Sequence, residues 1–102
     1  MINFLKILME INELMGKAYE LYLRKLGSLD ENLIFIHFVE EVGEIAREIA
    51  SKNLLKKRKF DEENLKMEIS QAFIDLFVLA KISGIEDLSE MIIRKMGEIE
   101  RK

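Results

Sequence analysis

Between His37 and Glu48 the chain reads HFVEEVGEIARE, and at 3.6 residues per turn His37, Glu40, Glu41, Glu44 and Glu48 share one stripe of a helix. Like charges three or four residues apart cost an isolated helix roughly 0.2–0.5 kcal/mol per pair, so this row needs good solvation or a compensating cation. Carboxylate oxygens suit a hard divalent metal. A solvated acidic face is the plainer alternative, and one stripe does not separate the two.

A second polar row shifts the balance. Glu68, Gln71 and Asp75 fall at i, i+3 and i+7, flanked by Leu65, Ala72 and Leu76 on one side and by Met67, Ile74 and Val78 on the other. The ordinary solvent face of this segment lies elsewhere, at Glu63, Lys66, Ser70 and Lys81. Carboxylates set in an apolar surface are costly unless a cation or hydrogen bonds compensate them, so the seam is expected to be compensated.

Four helices have to position these rows. Residues 2–26 carry Leu5, Leu8, Ile11, Met15, Ala18, Tyr22 and Leu26 at helical spacing and close at Gly27, while the charges of this segment look solvated and suggest no chemistry. Ser28 and Glu31 match a capping box, which starts the second helix near Leu29 and carries it to about Ser51. Its expected core face is Phe38, Val39, Val42, Ile45, Ala46 and Ile49, opposite the glutamates. Asp61 caps a third helix from about Glu62 to Ile82, stopped by Ser83-Gly84. The fourth runs from about Asp87 to Glu100 with Leu88, Met91, Ile92 and Ile99 inward, and Lys95 is the odd member of that stripe. No repeat or long linker divides the chain. The expectation is one all-α domain over residues 1–102, an antiparallel four-helix bundle. Phe73 and Phe77 extend the apolar surface of the third helix beyond what so small a monomer buries, which points to an oligomer.

The segment from Lys52 to Phe60 has five basic residues in nine and no helical period. Lys56, Lys57, Arg58 and Lys59, between two acidic helices, are placed to meet a polyphosphate; a solvated linker accounts for them equally well. His37 could assist a phosphate or pair with a neighbouring carboxylate.

With no cysteine and a single histidine in 102 residues, disulfides and thiolate sites are excluded and an all-protein zinc site is disfavoured. Any metal is held by oxygen. The net charge of −3 argues against a general nucleic-acid binder. No long uncharged apolar run and no signal-peptide pattern occurs, so a soluble, cytoplasmic protein without a membrane partner is expected.

Glu40-Glu41-Val42-Gly43-Glu44 resembles the first motif, EExxE, of the MazG-like all-α nucleoside triphosphate pyrophosphohydrolases. Residues 68–85, from Glu68 through Gln71 and Asp75 to Gly84-Ile85, look like the segment that carries the second motif, ExxD, and its Gly-Ile turn; the resemblance covers roughly residues 33–100. It implies a MazG-like helical bundle that assembles as a homodimer or homotetramer. It also implies magnesium, with manganese as a substitute, and a nucleoside triphosphate cleaved to the monophosphate and pyrophosphate. By position, Glu40, Glu41, Glu44 and Glu68 would be metal ligands, with Glu41 also orienting or deprotonating the attacking water. Two metal ions about 4 Å apart can hold both the water and the phosphoryl oxygens, which calls for several carboxylates from facing helices. Gln71 stands where the family has its aspartate and offers a carbonyl oxygen without charge. Asp75, one turn on along the same seam, is placed to restore that charge as a further ligand. His37, Gln71, Lys56, Lys57, Arg58, Lys59 and Lys95 are the candidates for contact with substrate. The departure at Gln71 keeps open a catalytically inactive nucleotide- or metal-binding regulatory protein, and beyond it a purely structural helical oligomer.

Overall fold

A computed structural model of the chain describes residues 4–53 and 59–102, with side chains from Glu10 onward. Four helices account for nearly all of it: α1 (Phe4–Leu26), α2 (Glu31–Lys52), α3 (Glu62–Ile82) and α4 (Ser89–Glu100). No strand occurs among the described residues.

The helix ends follow from local chemistry. α1 stops at Gly27, whose φ of +78° suits glycine, and the Gly27 amide donates back to the Leu23 carbonyl at 2.8 Å. α2 begins two residues later than the capping box predicts. Asp30, not Ser28, is its N-cap, and the Asp30 carboxylate accepts from the amides of Asn32 at 2.9 Å and Leu33 at 3.3 Å. A full negative charge answers both the orphan amides and the helix dipole, which a serine hydroxyl does less well. α3 is capped as expected by Asp61, which accepts from the Asn64 amide at 3.1 Å. It ends in a Schellman turn: the Ile85 amide reaches the Ala80 carbonyl and the Gly84 amide the Lys81 carbonyl, with Gly84 at φ +82°. α4 starts at Ser89 rather than Asp87 because α1 helps to cap it. Asn12 Oδ1 accepts from the Leu88 amide at 3.2 Å and the Ser89 hydroxyl at 3.1 Å, while Asp87 accepts from the Glu90 amide at 3.2 Å.

α3 is the spine. α1 and α2 both pack on it, and α4 packs on α1. Ala18, Ile34 and Val78 form the shared core of α1, α2 and α3, with Tyr22, Leu29, Ile74 and Phe77 against it. The result is a layer of 43 × 42 × 21 Å whose radius of gyration is 16.0 Å. A compact chain of this length would have about 13 Å.

This layer reverses the expected orientation of α2. Val39, Val42 and Ile49, assigned to the core from sequence, are 51%, 45% and 48% exposed, whereas Glu48 is fully buried. Glu41, Glu44 and Glu48 lie on the side of α2 towards α3 while Glu40 is exposed, and of the expected core face Val39, Val42, Ala46 and Ile49 are exposed while Phe38 and Ile45 are half-buried. Polar partners make this possible: Glu48 accepts from the Asp61 amide at 3.1 Å and the Asn64 side-chain amide at 3.4 Å, so its charge is buried in company.

Candidate functional site

The polar seam of α3 lies inside the protein, as its sequence setting predicts. Asp75 is completely buried and Glu68 nearly so. Asp75 gathers one residue from each of three helices. Its Oδ1 accepts from the Tyr22 hydroxyl of α1 at 2.7 Å and from the Gln71 amide of α3 at 3.1 Å; its Oδ2 meets Nδ1 of His37, on α2, at 2.8 Å. The Gln71 amide also donates to the Tyr22 hydroxyl. Hydrogen bonds within the protein thus compensate this carboxylate.

Two pockets meet at this cluster. The larger, about 660 Å³, opens between the end of α1 and the start of α2 and is lined by Tyr22, Lys25, Leu26, Ser28, Asp30, Leu33, Ile34, His37 and Asp75. Its lining surface is mainly apolar, with Tyr22, His37 and Asp75 joined by hydrogen bonds and Lys25, Ser28 and Asp30 as its other polar residues. The smaller, about 210 Å³, lies between α2 and α3 and is lined by Glu41, Glu44, Asn64, Met67, Glu68 and Gln71. Gln71 borders the acidic pocket and bonds to two residues of the apolar one. His37 links them on the other side, since its Nε2 stands 3.7 Å from Glu41 Oε1.

Burial, hydrogen bonding to Asp75 and the neighbouring charges move three titrations here. The hydrogen bond to Asp75 holds the His37 pKa above its usual value despite partial burial, and the charges of Asp75, Glu41 and Glu40 act in the same direction. Burial pushes Glu41 up, helped by the charge of Glu44 and opposed by His37. Burial and the bond to Asp75 push the Tyr22 phenol up to about 12, so its hydroxyl keeps its proton.

The structure sorts the residues singled out from sequence. Glu41, Glu44, Glu68 and Gln71 are brought to one pocket. Glu40 is exposed and borders neither pocket. Asp75 lines the apolar pocket and not the acidic one, and is bonded to three side chains. Lys95 is not on an inner stripe: α4 packs on α1, away from the acidic pocket, and Lys95 pairs with Glu98 at 2.9 Å on the exposed surface. Lys59 is exposed and lines neither pocket, and Lys56, Lys57 and Arg58 lie outside the described residues. Two further residues belong to the site. Tyr22 falls by spacing on an apolar stripe, although a phenol on a core stripe needs a partner for its hydroxyl. Asn64 sits in the first turn of α3, where its own capping by Asp61 hides its second role.

An all-oxygen set of three carboxylates and two amides has the donor chemistry of a hard divalent cation site. Among the described residues, however, no three acidic or histidine side chains converge closely enough to hold one ion as they stand. No helix among them is long and apolar enough to cross a membrane. Compared with protein-family models, with curated proteins and with solved structures, the chain matches none.

Proposed function

We propose that this chain is a magnesium-dependent nucleotide pyrophosphohydrolase, which adds water across the α–β anhydride of a nucleoside triphosphate to give the monophosphate and pyrophosphate. The adjoining of the two pockets carries this reading. A nucleoside triphosphate is apolar and planar at one end and a metal-bound polyanion at the other, and an apolar pocket here opens beside an acidic one. The resemblance of residues 40–44 and 68–85 to MazG-like pyrophosphohydrolases supports the same reading.

Glu41, Glu44 and Glu68 would hold the metal once their side chains turn inward. A bound divalent ion supplies charge neutralisation of the phosphates and polarisation of the scissile bond. Glu41, at the junction with His37, has a carboxylate made more basic by burial and by Glu44, which suits it to take the proton of the attacking water. Gln71 adds an uncharged contact at the border of the two pockets.

The second reading, a protein that binds nucleotide or metal without hydrolysis, draws on Gln71 and Asp75 together. The acidic pocket lacks the aspartate of the second family motif, and the nearest substitute charge, Asp75, is committed to Tyr22, His37 and Gln71.

The assembly is proposed to be a homodimer or homotetramer that completes a helical bundle. In a single chain Phe35, Ile36, Val39, Val42 and Ile49 stand bare along the outer face of α2. A second copy covers that face most simply, because the same apolar stripe occurs on both.

Phosphorus NMR with a panel of nucleoside triphosphates, in magnesium and then manganese, tests the reading. Monophosphate and pyrophosphate that appear together, and vanish in Glu44→Ala, support hydrolysis. Tight calorimetric binding without product supports the binding protein. Neither product nor binding rejects both and leaves the structural oligomer.

A further inference from the structure

The carboxylate of Asp75 offers acceptors and no donor, and this fixes the polarity of its surroundings. The Tyr22 hydroxyl, 2.7 Å from Oδ1, must give its hydrogen to Asp75, so the Tyr22 oxygen is left to accept from the Gln71 amide nitrogen. The same nitrogen stands 3.1 Å from Asp75 Oδ1. The Gln71 amide nitrogen therefore faces Tyr22 and Asp75, which stand close enough together to share one of its hydrogens. The reversed amide would set a carbonyl oxygen against a carboxylate. The carbonyl end of Gln71 is thus the end not bonded to this pair, and Gln71 also borders the pocket of Glu41, Glu44 and Glu68. On the second oxygen, His37 Nδ1 carries the hydrogen at 2.8 Å, which turns Nε2 towards Glu41 at 3.7 Å.

We propose that Asp75 is a positioning residue and not a metal ligand: it aims the Gln71 carbonyl into the acidic pocket and the His37 Nε2 at Glu41. One buried carboxylate thus sets two side chains where the pockets meet. The proposal rests on the nucleotide reading only in that a bound triphosphate gives these orientations their use. The orientations themselves belong to the free protein.

The chain has a single histidine, so its imidazole nitrogen signals are assigned without ambiguity. At a pH above the imidazole titration, nitrogen NMR of the wild type should show the Nδ1–H tautomer; the Nε2–H tautomer overturns the proposal. In Asp75→Asn the carboxamide has one accepting end, so it cannot accept from both His37 and the Tyr22–Gln71 pair. Either the His37 tautomer changes or the Gln71 side-chain amide resonances shift. Both unmoved would overturn the proposal. Tyr22→Phe removes one hydroxyl and keeps the ring, so it provides the test should Asp75→Asn not fold. There the Gln71 amide resonances shift and the His37 tautomer stays, whereas an unmoved Gln71 amide is the contrary result. These spectra need no nucleotide and decide the point even if phosphorus NMR shows neither turnover nor binding. Where turnover is found, Asp75→Asn lowers it by roughly 10- to 100-fold, as loss of an orienting partner does, and unchanged turnover also overturns the proposal.

Discussion

His37 Nδ1 and Asp75 Oδ2 stand 2.8 Å apart, which ties an imidazole side chain 47% exposed on α2 to a carboxylate with no solvent exposure on α3. The pair links α2 to α3 and lies where the two pockets meet.

Stability should depend on pH through this pair. The folded protein holds the His37 proton more tightly than the unfolded chain, whose ordinary value is 6.5. The contribution is therefore complete below that value and is lost as pH rises through the folded-state titration. The melting temperature of the wild type, relative to His37→Gln, should fall across that interval. Proton NMR of the single histidine should place its midpoint above 6.5, and a midpoint at or below it contradicts the geometry. Glu41 acts with the same sign in a lower window, above its ordinary 4.5, and comparison with Glu41→Gln separates the two.

Glu48 should matter for folding rather than for chemistry. It is buried where α2 meets the start of α3, and accepts from the Asp61 amide and the Asn64 side chain. Glu48→Ala leaves those donors without their acceptor at a cost of about 2–4 kcal/mol, read as a lower urea midpoint. Glu48→Gln keeps one accepting oxygen and should cost clearly less. Equal losses in the two variants would mean that volume, not hydrogen bonding, holds this corner together.

How far the sequence discloses the fold depends on whether a signal is local. Asp61 and Ser83-Gly84 bound α3 as read, because caps and stops act within a turn of themselves. Of the seam, Glu68 and Asp75 are buried as their aliphatic flanks predict, and Gln71 is half-buried. The inward face of α2 was not legible: its apolar and acidic stripes have the same period, and which one meets α3 depends on partners such as Asn64 and Asp61. The start of α4 depends on Asn12, which reaches Ser89 across 77 positions of sequence. Tyr22 joins the site by a hydroxyl that helical periodicity does not register.

The outer face of α2 should govern assembly. Val39 and Val42 are about half exposed in the single chain, so the carboxylate of a glutamate at either position can reach solvent. The double variant Val39→Glu/Val42→Glu should remain helical by circular dichroism and elute at monomer mass by light scattering, while the wild type elutes at twice that mass or more. A wild type that is already monomeric removes the proposed assembly. If the double variant stays oligomeric, the interface lies on another face, with the exposed Phe73 and Met67 of α3 the next to test.

Gln71→Asp places a charge where the resembled family carries one, and two effects of opposite sign should follow. Without metal, the shorter side chain gives up the amide bonds to Tyr22 and Asp75 and sets a second carboxylate near a buried one, so the melting temperature falls. With magnesium, the pocket of Glu41, Glu44 and Glu68 gains a fourth carboxylate, and affinity for the ion should rise by roughly tenfold as the charge count of the site increases. Metal that binds only the folded state raises the melting temperature, so the magnesium-induced shift should be larger in the variant than in the wild type even though its starting point is lower. Thermal scans of both proteins over a magnesium series show this directly. If magnesium shifts neither protein, the acidic pocket does not hold the ion. If it shifts the wild type alone, the Gln71 carbonyl contributes to the site in a way that a carboxylate cannot replace.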